Sequence, residues 1–366
     1  MKSPKTLTID IAKRFIESPD SVNLQDFEII EDEAAEVLAT NKSTLHLDGL
    51  TLLSVGAAKA LAQHKGDWLS LNGLTSLSED VAVALARQQY NRDWWLTLNG
   101  LTFLSNSVAE ALVKVDDAVQ LSSDTVLEFD GLTYLPEETA KILAKHNGPL
   151  MLDGLTSLSE ELAKTLALHK GQVLMLNGLT ELSEKAAKAL AQYKGVRLNL
   201  SGLTALSKEA AEALAQYRGR SLEMLKLANI STDAAKALAQ YKGDWLDLEG
   251  LTSLSAEAAK ALVQCKGFIF CHSIHDSEIL EFIQTSQWRF AKTMPQWPHE
   301  YVVREWRPDK DSVFERLVMK IRERGYNEKF GKTTYRYLAV DGWKYWTMGE
   351  SVNETIIINR ARVKQE

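Results

Sequence analysis

The chain has 366 residues, 45% hydrophobic and 25% charged, with a formal net charge of −7; this composition excludes a disordered or collagen-like polymer and allows two domains. Residues 295–366 hold 14 Lys+Arg against 11 Asp+Glu, whereas the other 294 residues hold 28 against 38. That acidity argues against a nucleic-acid groove over the long part of the chain.

The N-terminal stretch MKSPKTLTIDIAKRF has lysines but lacks the apolar run of a signal sequence, and no segment approaches the ~18 continuous apolar residues of a spanning helix. A cytoplasmic location with no membrane partner is the expectation. The two cysteines, Cys265 and Cys271, are too few for a disulfide framework and fit a reducing compartment. Residues 1–21 are expected to form an N-terminal helical cap.

From residue 22 one phrase recurs. Aligned on Gly-Leu-Thr, its glycines fall at Gly49, Gly73, Gly100, Gly131, Gly154, Gly178, Gly202 and Gly250, with most single steps 23 or 24 residues. A degenerate copy, LKLANIST, fills the wide gap before Gly250, and VNLQDFEIIEDEAAEVLA at 22–39 reads as an earlier copy without the glycine. About ten copies result, the signature of a solenoid.

Each copy reads as L-x-L, a turn, then a helix. In WLSLNG, Leu69 and Leu71 alternate with polar residues as in a short half-buried strand. Asn72-Gly73, Asp130-Gly131 and Asp153-Gly154 are turn dipeptides in which glycine supplies unusual backbone angles. Ser78 is a good N-cap followed by acids, and Lys-Gly pairs such as Lys194-Gly195 mark helix C-termini with glycine at C′. In EKAAKALAQYKG, Ala186, Leu190 and Tyr193 form one stripe with Ala187 and Ala191 beside it. One such unit cannot bury its own apolar face, so copies must stack into one parallel sheet with helices behind it.

LSLNGLTSLS, LMLNGLTELS and LNLSGLTALS resemble leucine-rich repeats, in a 24-residue form found among bacterial proteins. The resemblance covers residues 20–290 and implies a curved α/β solenoid whose concave sheet binds another macromolecule, most often a protein. Gly-Leu-Thr stands where the usual L-x-x-L-x-L-x-x-N pattern has its asparagine ladder.

Outward strand positions form columns, and a column that varies between copies is free to carry specificity. The column before the glycine, Asp48, Asn72, Asn99, Asp130, Asp153 and Asn177, is assigned to turn geometry. The central column reads His46, Ser70, Thr97, Glu128, Met151, Met175, Asn199, Lys226 and Asp247; the preceding one reads Trp68, Trp95, Val126, Pro149, Val173 and Arg197. Val126, Pro149, Met151, Val173 and Met175 together make an apolar run; if solvent-facing, such a run marks an interface with a partner protein, the alternative being that the C-terminal domain or a second subunit covers it. Trp68 and Trp95 are expected to pack on the preceding loop, with interface anchoring as the alternative. The candidate partner-binding set is therefore Trp68, Trp95, Val126, Glu128, Pro149, Met151, Val173, Met175 and Arg197.

CKGFIFCHSIH at 265–275 holds both cysteines with His272 and His275. Five residues separate the cysteines, poor spacing for zinc, and Cys265 takes the slot of Tyr193, Tyr217 and Tyr241. A degenerate closing repeat, capped by a helix over ILEFIQ, is the better reading, so the solenoid is expected to span 22–293 with no metal.

From residue 294 the repeat disappears and aromatics become dense. EYVVREW reads as a strand, SVFERLVMKIRERG as a helix opened by the capping box Ser312-x-x-Glu315, TTYRYLAVDGWKYWTM as a hairpin and TIIINRARV as a final strand. The order β-α-β-β-β makes a small α+β domain over 294–366. PHEYVVR, KYWTMG and IINRA resemble a small module of bacterial proteins to which no activity attaches. Gly331-Lys332-Thr333 is not a P-loop, since Tyr326 stands where the first glycine belongs and the stretch runs from helix to strand. His299 and Glu300 are neighbours on a strand, facing opposite ways, and no catalytic triad or metal–carboxylate set occurs.

The expectation is thus a non-enzymatic, cofactor-free scaffold whose sheet binds a protein, with the C-terminal domain as a second contact or output. In the alternative that domain is a nucleic-acid-binding or hydrolytic effector and the repeats its sensor. Arg304, Arg336, Trp343, Tyr345 and Arg360 carry that alternative, the only part of the chain suited to nucleic acid.

Overall fold

A computed structural model describes residues 3–86, 95–113, 125–271, 273–274 and 279, together with the strands at 304–305, 326–330, 333–340, 343–348 and 356–362. By internal contacts the chain divides into two units, Met1–Ile274 and His275–Glu366.

In the first unit, β1 (Thr6–Leu7) and β2 (Ile29–Ile30) pair in parallel, flanking a helix at Ile9–Glu17. Ten further strands form one parallel sheet in chain order: β3 (Leu45–His46), β4 (Trp68–Ser70), β5 (Trp95–Thr97), β6 (Val126–Glu128), β7 (Leu150–Met151), β8 (Val173–Met175), β9 (Arg197–Asn199), β10 (Ser221–Glu223), β11 (Trp245–Asp247) and β12 (Phe268–Phe270). Every described pair is in register, leucine opposite leucine through Leu69, Leu96, Leu127, Leu150, Leu174, Leu198, Leu222 and Leu246. A helix follows each strand from β3 to β11. This is an α/β solenoid of stacked strand–helix copies, as the resemblance to leucine-rich repeats implies. The copy at 22–39 differs: its strand slot is not a strand, a short 3-10 turn occupies Leu24–Asp26, and β2 pairs with β1 outside the ten-stranded sheet.

Leucines on the inward side of the strands and turns are fully buried, among them Leu69, Leu71, Leu174, Leu176, Leu198 and Leu200, each contributing roughly 1.5–3 kcal/mol. Short helices such as Glu184–Leu190 bury Ala186, Ala187 and Leu190, and alanine lets neighbouring copies approach closely. Ser54, Ser159, Ser183, Ser207, Ser231 and Ser255 each accept a hydrogen bond from the backbone N–H three residues on, as the N-cap reading requires; each cap is worth about 1 kcal/mol.

Both glycine columns work differently from the sequence expectation. At none of the turn glycines is the backbone left-handed. A Cβ on Gly178 would instead lie 2.1 Å from the Asp153 carbonyl oxygen and 2.6 Å from that of Leu155. Close approach of the preceding copy, not backbone angle, excludes a side chain. The Lys-Gly glycines are not C′ residues either: the helix before Gly195 ends at Leu190 with Ala191 as its C-cap, and a Cβ on Gly195 would lie 2.1 Å from the Tyr193 hydroxyl.

That tyrosine belongs to a buried spine. His146, His169, Tyr193, Tyr217 and Tyr241 stack with ring centroids 6.0–6.3 Å apart. Tyr193, Tyr217 and Tyr241 donate to the carbonyls of Gly171, Gly195 and Gly219 at 2.8, 2.9 and 2.8 Å. Cys265 continues the column, its Sγ 3.5 Å from the Tyr241 carbonyl oxygen. His146 Nε2 lies 2.9 Å from the Thr125 carbonyl oxygen, whereas the buried ring nitrogens of His169 make no hydrogen bond. Burial pushes both histidines down to about 4, with the His146 charge adding to the shift at His169.

In the second unit, β13 (Arg304–Glu305), β14 (Tyr326–Phe330), β15 (Thr333–Val340), β16 (Trp343–Met348) and β17 (Ile356–Arg362) form an antiparallel sheet in the order β13-β17-β16-β15-β14. The hairpin is present, with Val340 opposite Trp343. β14 is an addition to the expected order; YNEKF lies between two glycines and has only two strong strand formers, too weak a pattern to read. The candidate helix at 312–325 and the closing helix over ILEFIQ lie outside the described residues, apart from Ile279. Among the described residues no helix is long and apolar enough to cross a membrane.

Two outcomes follow. Gly178→Ala is expected to lower stability by about 1–3 kcal/mol in urea denaturation, whereas Ser157→Ala at an exposed loop position stays within about 0.5 kcal/mol. A histidine with a depressed native pKa costs stability as pH falls from 6.5 towards 4, because the unfolded chain takes up the proton first. His169→Tyr, whose hydroxyl would meet the Gly148 carbonyl, is therefore expected to stabilise by about 1 kcal/mol at pH 7 and by more at pH 5, read from thermal melts at both pH values.

Candidate interaction surface

Strand alternation sends Leu69 and its equivalents inward and leaves two columns on the opposite face of the sheet. A third, the Asp/Asn column, lies at the strand exits. It does more than shape turns. The backbone N–H groups of Asn72, Asn99, Asp130, Asp153, Asn177 and Ser201 donate to the side-chain oxygens of Asp48, Asn72, Asn99, Asp130, Asp153 and Asn177 at 2.8–3.0 Å. This is a ladder between copies. The asparagine ladder is thus present, immediately before the glycine rather than absent.

The register also corrects the central column. β10 aligns Glu223, not Lys226, with Asn199 and Asp247. Lys226 takes the place of the turn glycine, 24 residues from both Gly202 and Gly250. That even spacing was the signal in the sequence, hidden because LKLANIST looks like a strand of its own.

Three zones follow along the face. At the β3–β5 end, Trp68 and Trp95 stack on each other with centroids 4.8 Å apart and planes 13° apart, and His46 meets Trp68 edge-on at 5.9 Å. The tryptophans thus pack across strands rather than on the preceding loops alone. Trp95 Nε1 donates to Glu128 Oε2 at 2.7 Å, and Asn99 Nδ2 to Glu128 Oε1 at 2.5 Å. In the middle, Val126, Pro149, Val173 and Met175 are half-buried, while Met151, between Glu128 and Met175, is only 9% exposed. At the far end Arg197 forms an ion pair with Glu223: Nη2 donates to Oε2 at 2.7 Å, while Nε lies 2.5 Å from Oε1 without hydrogen-bond geometry. Ser221 Oγ holds the same carboxylate at 2.9 Å. Trp245 stacks on Phe270 at 5.8 Å.

Asp130 is the electrostatic exception. Burial, with Asp153 and Glu128 beside it, pushes its carboxyl up to about 7, although its Oδ1 accepts the Asp153 N–H at 3.0 Å. Among the described residues no three His, Cys, Asp or Glu side chains are grouped to hold a metal. Cys271 is buried, and burial, with Glu249 and Asp247 beside it, pushes its thiol up to about 12; His272 and His275 lie outside the described residues, as do His299, Glu300, Gly331 and Lys332.

In the second unit, register pairs Arg304 with Ile357, Arg336 with Thr347, Tyr345 with Arg360 and Trp343 with Arg362.

No protein-family model matches the chain, and no curated protein matches it. Among solved structures, a chain in the "Crystal structure of TLR13-ssRNA13 complex" is similar at 16% identity with a TM-score of 0.42, over 68% of this chain. The match spans 37% of that protein's length.

A carboxyl whose native pKa is raised loses stability as pH climbs from 3.8 through 7, since the folded state must then hold the charge. Asp130→Asn keeps the ladder oxygen and removes that charge. It is expected to raise stability at pH 8 by about 1 kcal/mol or less, given solvent screening, and to give no gain at pH 4, compared by denaturant titration.

Proposed function

We propose that this chain is a non-enzymatic, cytoplasmic scaffold whose solenoid sheet binds a partner protein, with the C-terminal unit as a second contact or an output. The observation that carries the reading is the contrast between columns on the two sides of one sheet. Inward positions repeat leucine, because packing demands it. The outward positions vary along the solenoid and bring Val126, Pro149, Val173 and Met175 together as a half-buried apolar centre.

Flanking features supply a polar and aromatic rim. Trp68 and Trp95 form a rigid stacked pair, and Glu128 is held between Trp95 and Asn99. Arg197 has its charge matched by Glu223, so it offers guanidinium edges without an unpaired buried charge. An apolar centre with aromatic and arginine neighbours matches the anatomy of protein interfaces. Methionine at the centre suits contacts that adapt to a partner's shape.

The test is affinity capture with the full chain beside Val173→Glu/Met175→Glu, followed by titration of any retained protein in purified form. Met151 is left unchanged because its burial would confuse binding with folding. A partner that binds the full chain and is weakened at least about tenfold by the double variant, the loss expected of a central anchor, supports the reading. The same proteins retained equally by both baits would sink it.

A further inference from the structure

We infer that one face of the C-terminal sheet binds single-stranded nucleic acid. Residues directly opposite in an antiparallel pair share a face, and residues two apart along a strand share it too. One row runs across the whole sheet through Arg304, Ile357, Thr347, Arg336 and Asn327. The next rows on that face hold Arg360, Tyr345 and Leu338, then Arg362, Trp343 and Val340. The irregularity at Trp346/Thr347 opposes Thr347 to Ile357 and Trp346 to Asn359, leaving Ile358 without an opposite residue. This extra residue puts Arg304 on the face of Arg336 and Arg360 instead of the reverse.

Lys329, opposite Thr334 and two positions from Asn327, joins the same face. Among the described strand positions it therefore carries five cationic ones, Arg304, Lys329, Arg336, Arg360 and Arg362, and no carboxylate. The other face has Glu305, Glu328 and Lys344 among a larger set of aromatic and apolar positions, including Tyr326, Tyr337 and Trp346. An antiparallel sheet commonly covers one face with its core and leaves the other to solvent. Five cationic positions gathered on one face are costly to bury, which favours a core on the Tyr- and Trp-rich face.

What remains is a cationic surface with Trp343 and Tyr345 between its arginines. Cations alone would suit any polyanion. Aromatics within the same rows favour exposed bases, which stack on them, over a duplex whose bases are already stacked or an acidic peptide that has none. The inference is independent of what the solenoid binds, and the acidity of the remaining 294 residues, 28 Lys+Arg against 38 Asp+Glu, keeps it local to this unit.

The experiment is fluorescence anisotropy of labelled oligo-dT and oligo-rU with the full chain, from ~50 mM salt upwards. Five contacts set an upper slope of about −3.5 for log K against log salt. Arg336→Glu/Arg360→Glu is expected to weaken binding at least tenfold, and Trp343→Ala/Tyr345→Ala roughly 5-fold or more. Lys344→Glu, on the opposite face, stays within twofold, and Arg336→Lys/Arg360→Lys retains the salt slope. Absence of binding at the lowest salt overturns the inference. So does equal binding of duplex, equal competition by polyglutamate or anionic vesicles, or equal loss in the Lys344→Glu or lysine variants, which would trace the effect to general charge or folding.

Discussion

The closeness with which one copy lies on the next governs this solenoid. At Gly178, and in the same way at Gly73, Gly100, Gly131, Gly154 and Gly202, there is no room for a Cβ between the turn and the carbonyls of the copy before it. That separation sets the strand pairing, brings Asp/Asn side chains within reach of the next N–H, and stacks the spine rings about 6 Å apart. The three ladders, backbone, Asx and aromatic, are consequences of one spacing. Each copy satisfies its polar groups through its neighbour, which is why strands of only two or three residues persist.

The same constraint explains where variation is tolerated. Inward leucines, N-cap serines and turn glycines are held by packing, capping and closeness. The outward columns contact the adjacent copies in the sheet, so they accept tryptophan, glutamate, methionine or arginine if adjacent copies agree. Trp68 with Trp95, Glu128 with Asn99 and Arg197 with Glu223 are such local agreements. A face assembled this way can change in one region without disturbing the core. Asp130, its carboxyl held high by burial and acidic neighbours, is the one described position where ladder and surface chemistry conflict.

The C-terminal unit is built on different principles. Its strands β14 to β17 are longer, its sheet is antiparallel with a tight hairpin between β15 and β16, and its charge has the opposite sign to that of the solenoid. An antiparallel sheet separates its two faces strictly, and a single irregular pairing decides to which face Arg304 belongs.

Much was legible in the sequence. Periodicity alone determined the solenoid, its parallel sheet, the N-cap serines and the slot shared by Cys265 and the tyrosines, because each is a local pattern repeated until chance is excluded. The role of glycine was not legible: closeness and unusual backbone angles demand the same residue, and only the neighbouring copy's carbonyl at Gly178 distinguishes them. The Asx column likewise reads as a turn until the next N–H is found 24 residues away, and Lys226 reads as a strand residue until register puts Glu223 beside Arg197. Sequence by itself determined what each copy is; tertiary structure decided what each copy touches, since lateral contacts form between residues some two dozen positions apart and leave no local trace.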